Sequence, residues 1–216
     1  MTRSYDALVL AGGAARRLGG TDKPALPVGG RMLLDRVLAA CADARTTVVV
    51  GPRRPTERPV RWTREDPPGG GPLPALAAGL AALDDADTAG ATNGSTTSDA
   101  AGGTVLVLAA DLPFLTGATT RALVEALHGD REGVLLTDSG GRDQPLAGAY
   151  RVEPLRRELA LLRVEYGHLA GLPLRLLTGE LALHRIADPT GDASFDCDTW
   201  EDVAAARARL DGGNPG

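Results

Sequence analysis

The sequence predicts an α/β fold of the Rossmann-like type, a three-layer sandwich in which helices cover both faces of a mostly parallel sheet. Short apolar runs alternate with segments of helical periodicity along the 216 residues, the pattern of successive β-α units. Only 3% of the residues are aromatic although 43% are hydrophobic, so we expect a core of Leu, Val and Ala. The length is sufficient for a single domain, 1–216, and does not require two.

The predicted strands are apolar runs of the kind that a sheet buries on both faces. They cover 7–10, 46–50, 60–63, 104–110, 133–137 and 145–151, with 174–177 and 183–187 as edge strands. Apolar residues at intervals of three and four predict the helices between them. These cover 32–41, 73–83, 117–128, 153–163 and 199–210.

Segment 84–103 differs in composition from the rest of the chain. It consists mainly of Ala, Asp, Thr, Ser, Asn and Gly, with hardly a large apolar residue. Such a segment buries too little apolar surface to offset the entropy of ordering it. We therefore expect a disordered insertion at 84–103.

Charge and hydropathy exclude several classes of protein. The net charge of −5 argues against a nucleic-acid-binding surface, which would be basic. The sequence has no run of about 18 apolar residues, the length that a membrane span requires, and residues 1–6 lead into a strand rather than a signal peptide. Cys41 and Cys197 have neither metal-ligand spacing nor the pattern of a disulfide framework, so reduced thiols and a cytosolic protein are expected.

A glycine-rich segment with two cations follows the first predicted strand. It begins Leu10-Ala11-Gly12-Gly13, continues through Arg17, and ends Gly19-Gly20-Thr21-Asp22-Lys23. Glycines let the backbone approach a ligand closely, and exposed N–H groups in such a loop favour anions. Arg17 and Lys23 add positive charge for a polyphosphate. The segment predicts a nucleoside triphosphate site, the alternative being a surface turn with solvated cations.

The spacing within this segment distinguishes it from two common phosphate-binding loops. A P-loop requires Gly-Lys followed by Ser or Thr, and a dinucleotide fingerprint requires a third glycine that opens a helix; neither is present. The pattern LAGG-x3-R-x-G-x3-K instead resembles the signature of nucleotidyltransferases. The LAGG start and the Gly-Gly-x-Asp-Lys end resemble the molybdenum cofactor guanylyltransferases in particular.

This resemblance implies a glycosyltransferase-A-like nucleotidyltransferase fold and a specific reaction. Family members transfer GMP from GTP to molybdopterin carrying molybdenum and release pyrophosphate. The implied partner proteins are enzymes that insert the molybdenum cofactor, or the target apoenzymes. Two alternatives stay open: a relative that uses CTP or another nucleotide with a different small phosphorylated acceptor, and a catalytically silent homologue that binds nucleotide or cofactor.

Asp111 follows the most apolar predicted strand and precedes Leu112-Pro113. Ligands of open α/β sheets gather at the carboxyl ends of the strands, and a carboxylate there is a suitable ligand for Mg²⁺. The resemblance implies that Asp111 binds Mg²⁺ and that Arg17, Lys23 and Asp111 form the catalytic set. The alternative is a turn or capping Asp, although Thr116 is better placed to cap the next helix.

Further nucleotide-binding positions are implied by the same resemblance. Glu65-Asp66 match an acidic position that recognises guanine, since a carboxylate accepts hydrogen bonds from both N1–H and the exocyclic amine; a location of Glu65 at the rim, without base contact, is the alternative. Gly51 stands where the family has an Asn that binds the base. The full predicted nucleotide-binding set is Leu10, Ala11, Gly12, Gly13, Arg17, Lys23, Gly51, Asp66, Gly71, Pro72 and Leu73.

Asp196 and Asp198 immediately precede the last predicted helix. Thr199 is a suitable N-cap for that helix, with Asp202 three residues later as in a capping box. The resemblance implies that Asp196 and Asp198 face the acceptor or the metal, and pure capping is the alternative. Gln144 occupies a position where relatives bind the acceptor.

Overall fold

A seven-stranded sheet forms the centre of the computed structural model, which describes residues 3–13, 16–90, 103–188 and 190–211. The strands of this sheet are β1 (Asp6–Leu10), β4 (Thr47–Val50), β5 (Arg61–Thr63), β6 (Thr104–Ala109), β7 (Gly133–Thr137), β8 (Asp143–Arg151) and β9 (Leu183–Ala187). A separate antiparallel hairpin consists of β2 (Pro27–Val28) and β3 (Arg31–Met32). The strand order is β5-β4-β1-β6-β8-β7-β9. Only β8 runs antiparallel to its neighbours in this sheet, so the predicted mostly parallel arrangement is confirmed.

Helices cover both faces of the sheet, as predicted. They are α1 (Leu33–Ala40), α2 (Pro72–Gly90), α3 (Gly117–Ala126), α4 (Val152–Tyr166), α5 (Arg175–Thr178) and α6 (Trp200–Asp211). Because side chains alternate along a strand, Ala7 and Val9 of β1 pack with α1 and α3, whereas Leu8 and Leu10 pack with α2 and α4. Two apolar cores therefore enclose the sheet in a three-layer α/β fold.

A third, smaller apolar cluster joins α6 to the segment that follows the glycine-rich loop. Leu18, Leu26 and Val28 pack there against Val203 and Ala206 of α6. The cluster also contains Cys197, which is free and buried, as is Cys41. Helix α6 thus packs against the segment that carries Lys23.

The predicted edge strand at 174–177 is wrong, because this segment forms the helical turn α5. Leu177 is 1% exposed and packs into the core between the sheet and α4. A four-residue apolar run has the same appearance in a buried strand and in a buried helical turn. The pairing of β7 with β9 confirms the other predicted edge strand.

The expected disordered insertion is wrong over residues 84–90, which continue helix α2. Ala86 remains buried on the inner face of this helix, and Arg156 of α4 forms an ion pair with Asp84. These two contacts order a segment whose composition alone is poor in large apolar residues. Residues 91–102 of the expected insertion lie outside the described residues, and Gly103, its last residue, directly precedes β6. Among the described helices, none is long and apolar enough to cross a membrane.

Candidate active site

The glycine-rich loop begins where β1 ends and is fixed by the neighbouring strand β4. The Ala11 amide donates to the carbonyl oxygen of Val50 at 2.8 Å. Gly51 has a φ of 148°, and a Cβ atom there would lie 2.8 Å from the carbonyl carbon of Ala11. A larger residue would therefore displace the loop. Gly51 therefore packs against the backbone of the glycine-rich loop. Ala11, at the start of this loop, is buried.

A cleft of about 610 Å³ opens at the carboxyl ends of β1 and β6. It lies where ligands of open α/β sheets are expected. The predicted site residues that line it are Leu10, Gly12, Gly13, Arg17, Lys23, Gly71, Pro72, Asp111 and Asp198. The structure thus brings the glycine loop, both predicted cations and the strand-end carboxylate to one site.

Lys23 is the centre of a charged network in this cleft. Its Nζ atom forms ion pairs with Asp111 and, at 2.5 Å, with Asp198 Oδ1. Arg17 Nη1 lies 3.5 Å from the second oxygen of Asp198. Burial lowers the pKa of Lys23, but Asp111 and Asp198 outweigh it and hold the pKa above its ordinary value. Lys23 is therefore a fixed cation, and its side chain is only 14% exposed.

Three carboxylates converge beside Lys23. One oxygen each from Asp111, Asp196 and Asp198 lies within 4.8 Å of the others. Burial raises the pKa of Asp196, and the neighbouring Asp198 and Asp111 raise it further. Asp111 Oδ1 is buried and has no hydrogen-bond partner among the described residues. Oxygen ligands at this spacing, one of them unsatisfied, fit a hard divalent cation.

Comparison with known proteins shows the family of this chain. Residues 7–175 match the family described as the MobA-like NTP transferase domain. The chain belongs to this family. It is 30% identical over 216 residues to the molybdenum cofactor guanylyltransferase of a Bradyrhizobium species, covering 95% of this chain and 92% of the relative. A probable molybdenum cofactor guanylyltransferase of Synechococcus elongatus is 36% identical over 160 residues, covering 68% of this chain and 72% of the relative.

Two solved structures share the fold of this chain. Molybdopterin-guanine dinucleotide biosynthesis protein A from Archaeoglobus fulgidus has a TM-score of 0.66 at 17% identity, with 96% of this chain and 99% of that chain covered. The 2-C-methyl-D-erythritol 4-phosphate cytidylyltransferase from Thermus thermophilus has a TM-score of 0.64 at 20% identity, with 97% and 100% covered. These likenesses show the fold, and the family match and the named relatives identify the chain as a nucleotidyltransferase of the MobA-like family.

Of the adjacent acidic residues Glu65 and Asp66, only Glu65 lines the cleft. Glu65 is 6% exposed, lines the cleft, and its Oε1 accepts a hydrogen bond from the Gly69 amide at 2.9 Å. Its Oε2 is buried without a hydrogen-bond partner in the described part of the chain. Asp66 lines a second cleft, between α2 and α4. The geometry therefore does not support the predicted place of Asp66 in the nucleotide set and favours Glu65.

Other predicted residues, namely Ala11, Gly51, Leu73 and Gln144, are absent from the lining of the cleft. Leu73 is in the first turn of α2, and its side chain is fully buried in the core. Gln144 lies on β8, an interior strand of the sheet, and donates from Nε2 to Asp138 Oδ2 at 3.1 Å. Asp196 is near the cleft, because one of its carboxylate oxygens lies within 4.8 Å of oxygens of Asp111 and Asp198.

Several cleft residues were not predicted from the sequence. They are Pro24, Gly69, Ala75, Ala109, Ala110 and Leu146. Ala109 and Ala110 directly precede Asp111, so their position at the end of the predicted strand could have indicated that they line the cleft. Leu146 had no such signal, because it reaches the cleft through the antiparallel pairing of β8 with β6.

Proposed function

We propose that this protein transfers GMP from GTP to molybdopterin carrying molybdenum and releases pyrophosphate. The family match and relatives named molybdenum cofactor guanylyltransferase support this reaction. We propose a cytoplasmic location, supported by two free, buried cysteines, which suit a reducing compartment. Its partner proteins would be enzymes that insert the cofactor, or the apoenzymes that receive it.

The unpartnered oxygen of Glu65 is the observation that favours guanine. A buried carboxylate oxygen without a hydrogen bond is unfavourable in the protein alone. Guanine offers two adjacent donors, N1–H and the exocyclic amine, which a carboxylate accepts together. Adenine and cytosine do not present that pair of donors. Glu65 would thus favour GTP while its Oε1 keeps the Gly69 loop in place.

The charged network supplies positioning and neutralisation. Lys23 and Arg17 would bind the triphosphate oxygens together with the N–H groups of the glycine loop. Asp111, Asp196 and Asp198 would hold Mg²⁺, which when bound neutralises charge on the triphosphate. Asp111 is the primary ligand in this proposal because its Oδ1 is buried and unpartnered.

The reaction requires no nucleophile from the protein. An oxygen of the acceptor phosphate forms the new bond to the α-phosphorus of GTP, and the bond from that phosphorus to the bridging oxygen breaks. Pyrophosphate leaves with the bonding electrons and therefore gains negative charge. Lys23 would stabilise that charge, and holding both reactants in line would lower the entropic barrier.

A nucleotide panel tests the proposal directly. Purified protein is incubated with molybdopterin, Mg²⁺ and either GTP, CTP, ATP or UTP, and pyrophosphate release and the dinucleotide product are measured. We expect a preference for GTP of at least about tenfold, equivalent to 1.4 kcal/mol. A preference for CTP would overturn the guanylyl assignment and leave nucleotidyl transfer standing. Absence of product with every nucleotide would contradict molybdopterin as the acceptor.

A further inference from the structure

An aromatic pair joins the two segments that carry the acidic cluster. Phe114 follows Asp111 by three residues, and Phe195 directly precedes Asp196. Their ring centroids are 5.6 Å apart with an interplanar angle of 60°, which is a favourable edge-to-face arrangement. Both rings pack against the small apolar cluster behind the Lys23 segment. The contact therefore connects the end of β6 with the loop before α6.

Arg209, near the end of α6, contacts both rings at once. Its guanidinium carbon lies 5.4 Å from the ring centroid of Phe114 and 5.0 Å from that of Phe195. Both distances are within the range of cation–π attraction. Arg209 Nη1 also donates to Asp192 Oδ1 at 3.0 Å. One guanidinium thus links α6, the loop that leads to Asp196, and the segment after Asp111.

A backbone contact couples the same two segments on the side of the carboxylates. The amide of Cys197, between Asp196 and Asp198, donates to the carbonyl oxygen of Asp111 at 3.2 Å. Carboxylates held this close repel each other, and the loops that carry them tend to separate unless something resists. The hydrogen bond at Cys197 and the side chain of Lys23, which pairs with both Asp111 and Asp198, hold the segments together at the carboxylates. The aromatic pair and Arg209 resist separation at a second point.

We propose that Arg209, together with Phe114 and Phe195, is a positioning clamp that sets the separation of Asp111 from Asp196 and Asp198. The inference rests on the proposed function, because it takes these carboxylates as the ligands of a divalent cation. The three clamp residues are absent from the lining of the cleft. Their effect on a cation is therefore indirect, as for residues that orient metal ligands.

Binding of Mn²⁺ without nucleotide, measured by electron paramagnetic resonance, tests the clamp independently of activity. Arg209→Met keeps an apolar side chain over the rings but loses the charge, whereas Arg209→Lys keeps a cation. We expect Arg209→Met to weaken Mn²⁺ binding about tenfold, the scale seen when groups that orient metal ligands are removed. Arg209→Lys should retain most of the affinity. Phe195→Leu, which preserves apolar packing but removes the ring, should resemble Arg209→Met.

Arg207→Ala is the matched control, because Arg207 lies on the same helix but donates to Pro27 in the hairpin. It should bind Mn²⁺ as the wild type does. In the transfer assay, Arg209→Met should raise the Mg²⁺ concentration needed for half-maximal rate, while KM for GTP at saturating Mg²⁺ stays unchanged. Thermal unfolding confirms that each variant is folded.

The outcomes separate the clamp from the proposed function. Equal Mn²⁺ affinity in the wild type and in folded Arg209→Met and Phe195→Leu would overturn the clamp and leave the acidic site intact. Equal weakening by Arg207→Ala would also overturn it, since loss of any cation from α6 would then suffice. A wild-type protein that binds no Mn²⁺ would overturn the metal site itself, and the clamp with it.

Discussion

Replacement of Glu65 by glutamine tests guanine recognition with little change of shape. The side chain is 6% exposed, Oε1 accepts from the Gly69 amide at 2.9 Å, and Oε2 is buried and unpartnered. The carbonyl oxygen of glutamine can keep the bond to Gly69. Its NH₂ group then replaces Oε2, so a donor stands where the N1–H and amine of guanine require an acceptor.

The expected loss in kcat/KM follows from the hydrogen bonds to guanine that the substitution removes. A hydrogen bond to a charged group contributes about 1.5 to 3 kcal/mol, equivalent to roughly 10-fold to 150-fold in kcat/KM. We expect Glu65→Gln to lower kcat/KM for GTP by this factor and to leave the values for CTP and ATP nearly unchanged. Pyrophosphate release with each nucleotide, at saturating molybdopterin and Mg²⁺, measures the ratios.

Asp66→Asn is the matched control for this substitution. It removes a carboxylate from the adjacent position, which lies in the second cleft, and should preserve the preference for GTP. If Glu65→Gln keeps the wild-type ratio of GTP to CTP, the assignment of Glu65 to the base is refuted. If Asp66→Asn loses the preference instead, the original assignment to Asp66 is restored.

Three further predictions concern the charged network and the helix that follows it. Lys23→Ala should lower kcat by about 10² to 10³, because it removes a cation from the leaving pyrophosphate. Arg17→Ala should lower kcat less, since the side chain of Arg17 is 74% exposed. Steady-state rates at saturating GTP compare the two variants. Asp111→Asn should abolish most Mg²⁺-dependent turnover, and higher Mg²⁺ concentrations should restore part of it. If the dependence of the rate on Mg²⁺ is unaltered, Asp111 is a turn residue and not a metal ligand. Thr199→Ala should lower the free energy of unfolding by about 1 kcal/mol, read from urea denaturation, because Thr199 Oγ1 caps α6 through the Asp202 amide at 3.2 Å.

The sheet was predictable because its strands are buried on both faces and their apolar runs are short and well separated. The hydrophobic pattern of β1 and β6 leaves few other interpretations. The errors arose where burial is decided by partners distant in sequence. Arg156 and the core extend α2 past residue 83, and α5 is helical because Leu177 packs beneath α4.

The candidate site was predictable where it is contiguous in sequence. Lys23 belongs to a recognisable motif, and Asp111 follows a strand whose end had to lie at the cleft. The choice between Glu65 and Asp66 was not accessible in the same way. Both residues follow β5, and the chain bends at Asp66, so no strand periodicity in the sequence indicates which carboxylate enters the cleft. In the structure Glu65 is held there by its hydrogen bond to the Gly69 amide.

The acidic segment before α6 shows how a capping motif and a charged site can occupy the same few residues. Asp202 accepts from the amide and hydroxyl of Thr199 at 2.7 and 2.8 Å, and Thr199 Oγ1 accepts in return from the Asp202 amide. This reciprocal pair provides hydrogen-bond acceptors for the amides of Thr199 and Asp202 at the start of α6, without Asp196 or Asp198. Asp198 is consequently available for Lys23 and Arg17, which lie more than 170 residues earlier in the chain. The capping and functional interpretations of this segment are therefore compatible, because each uses a different carboxylate.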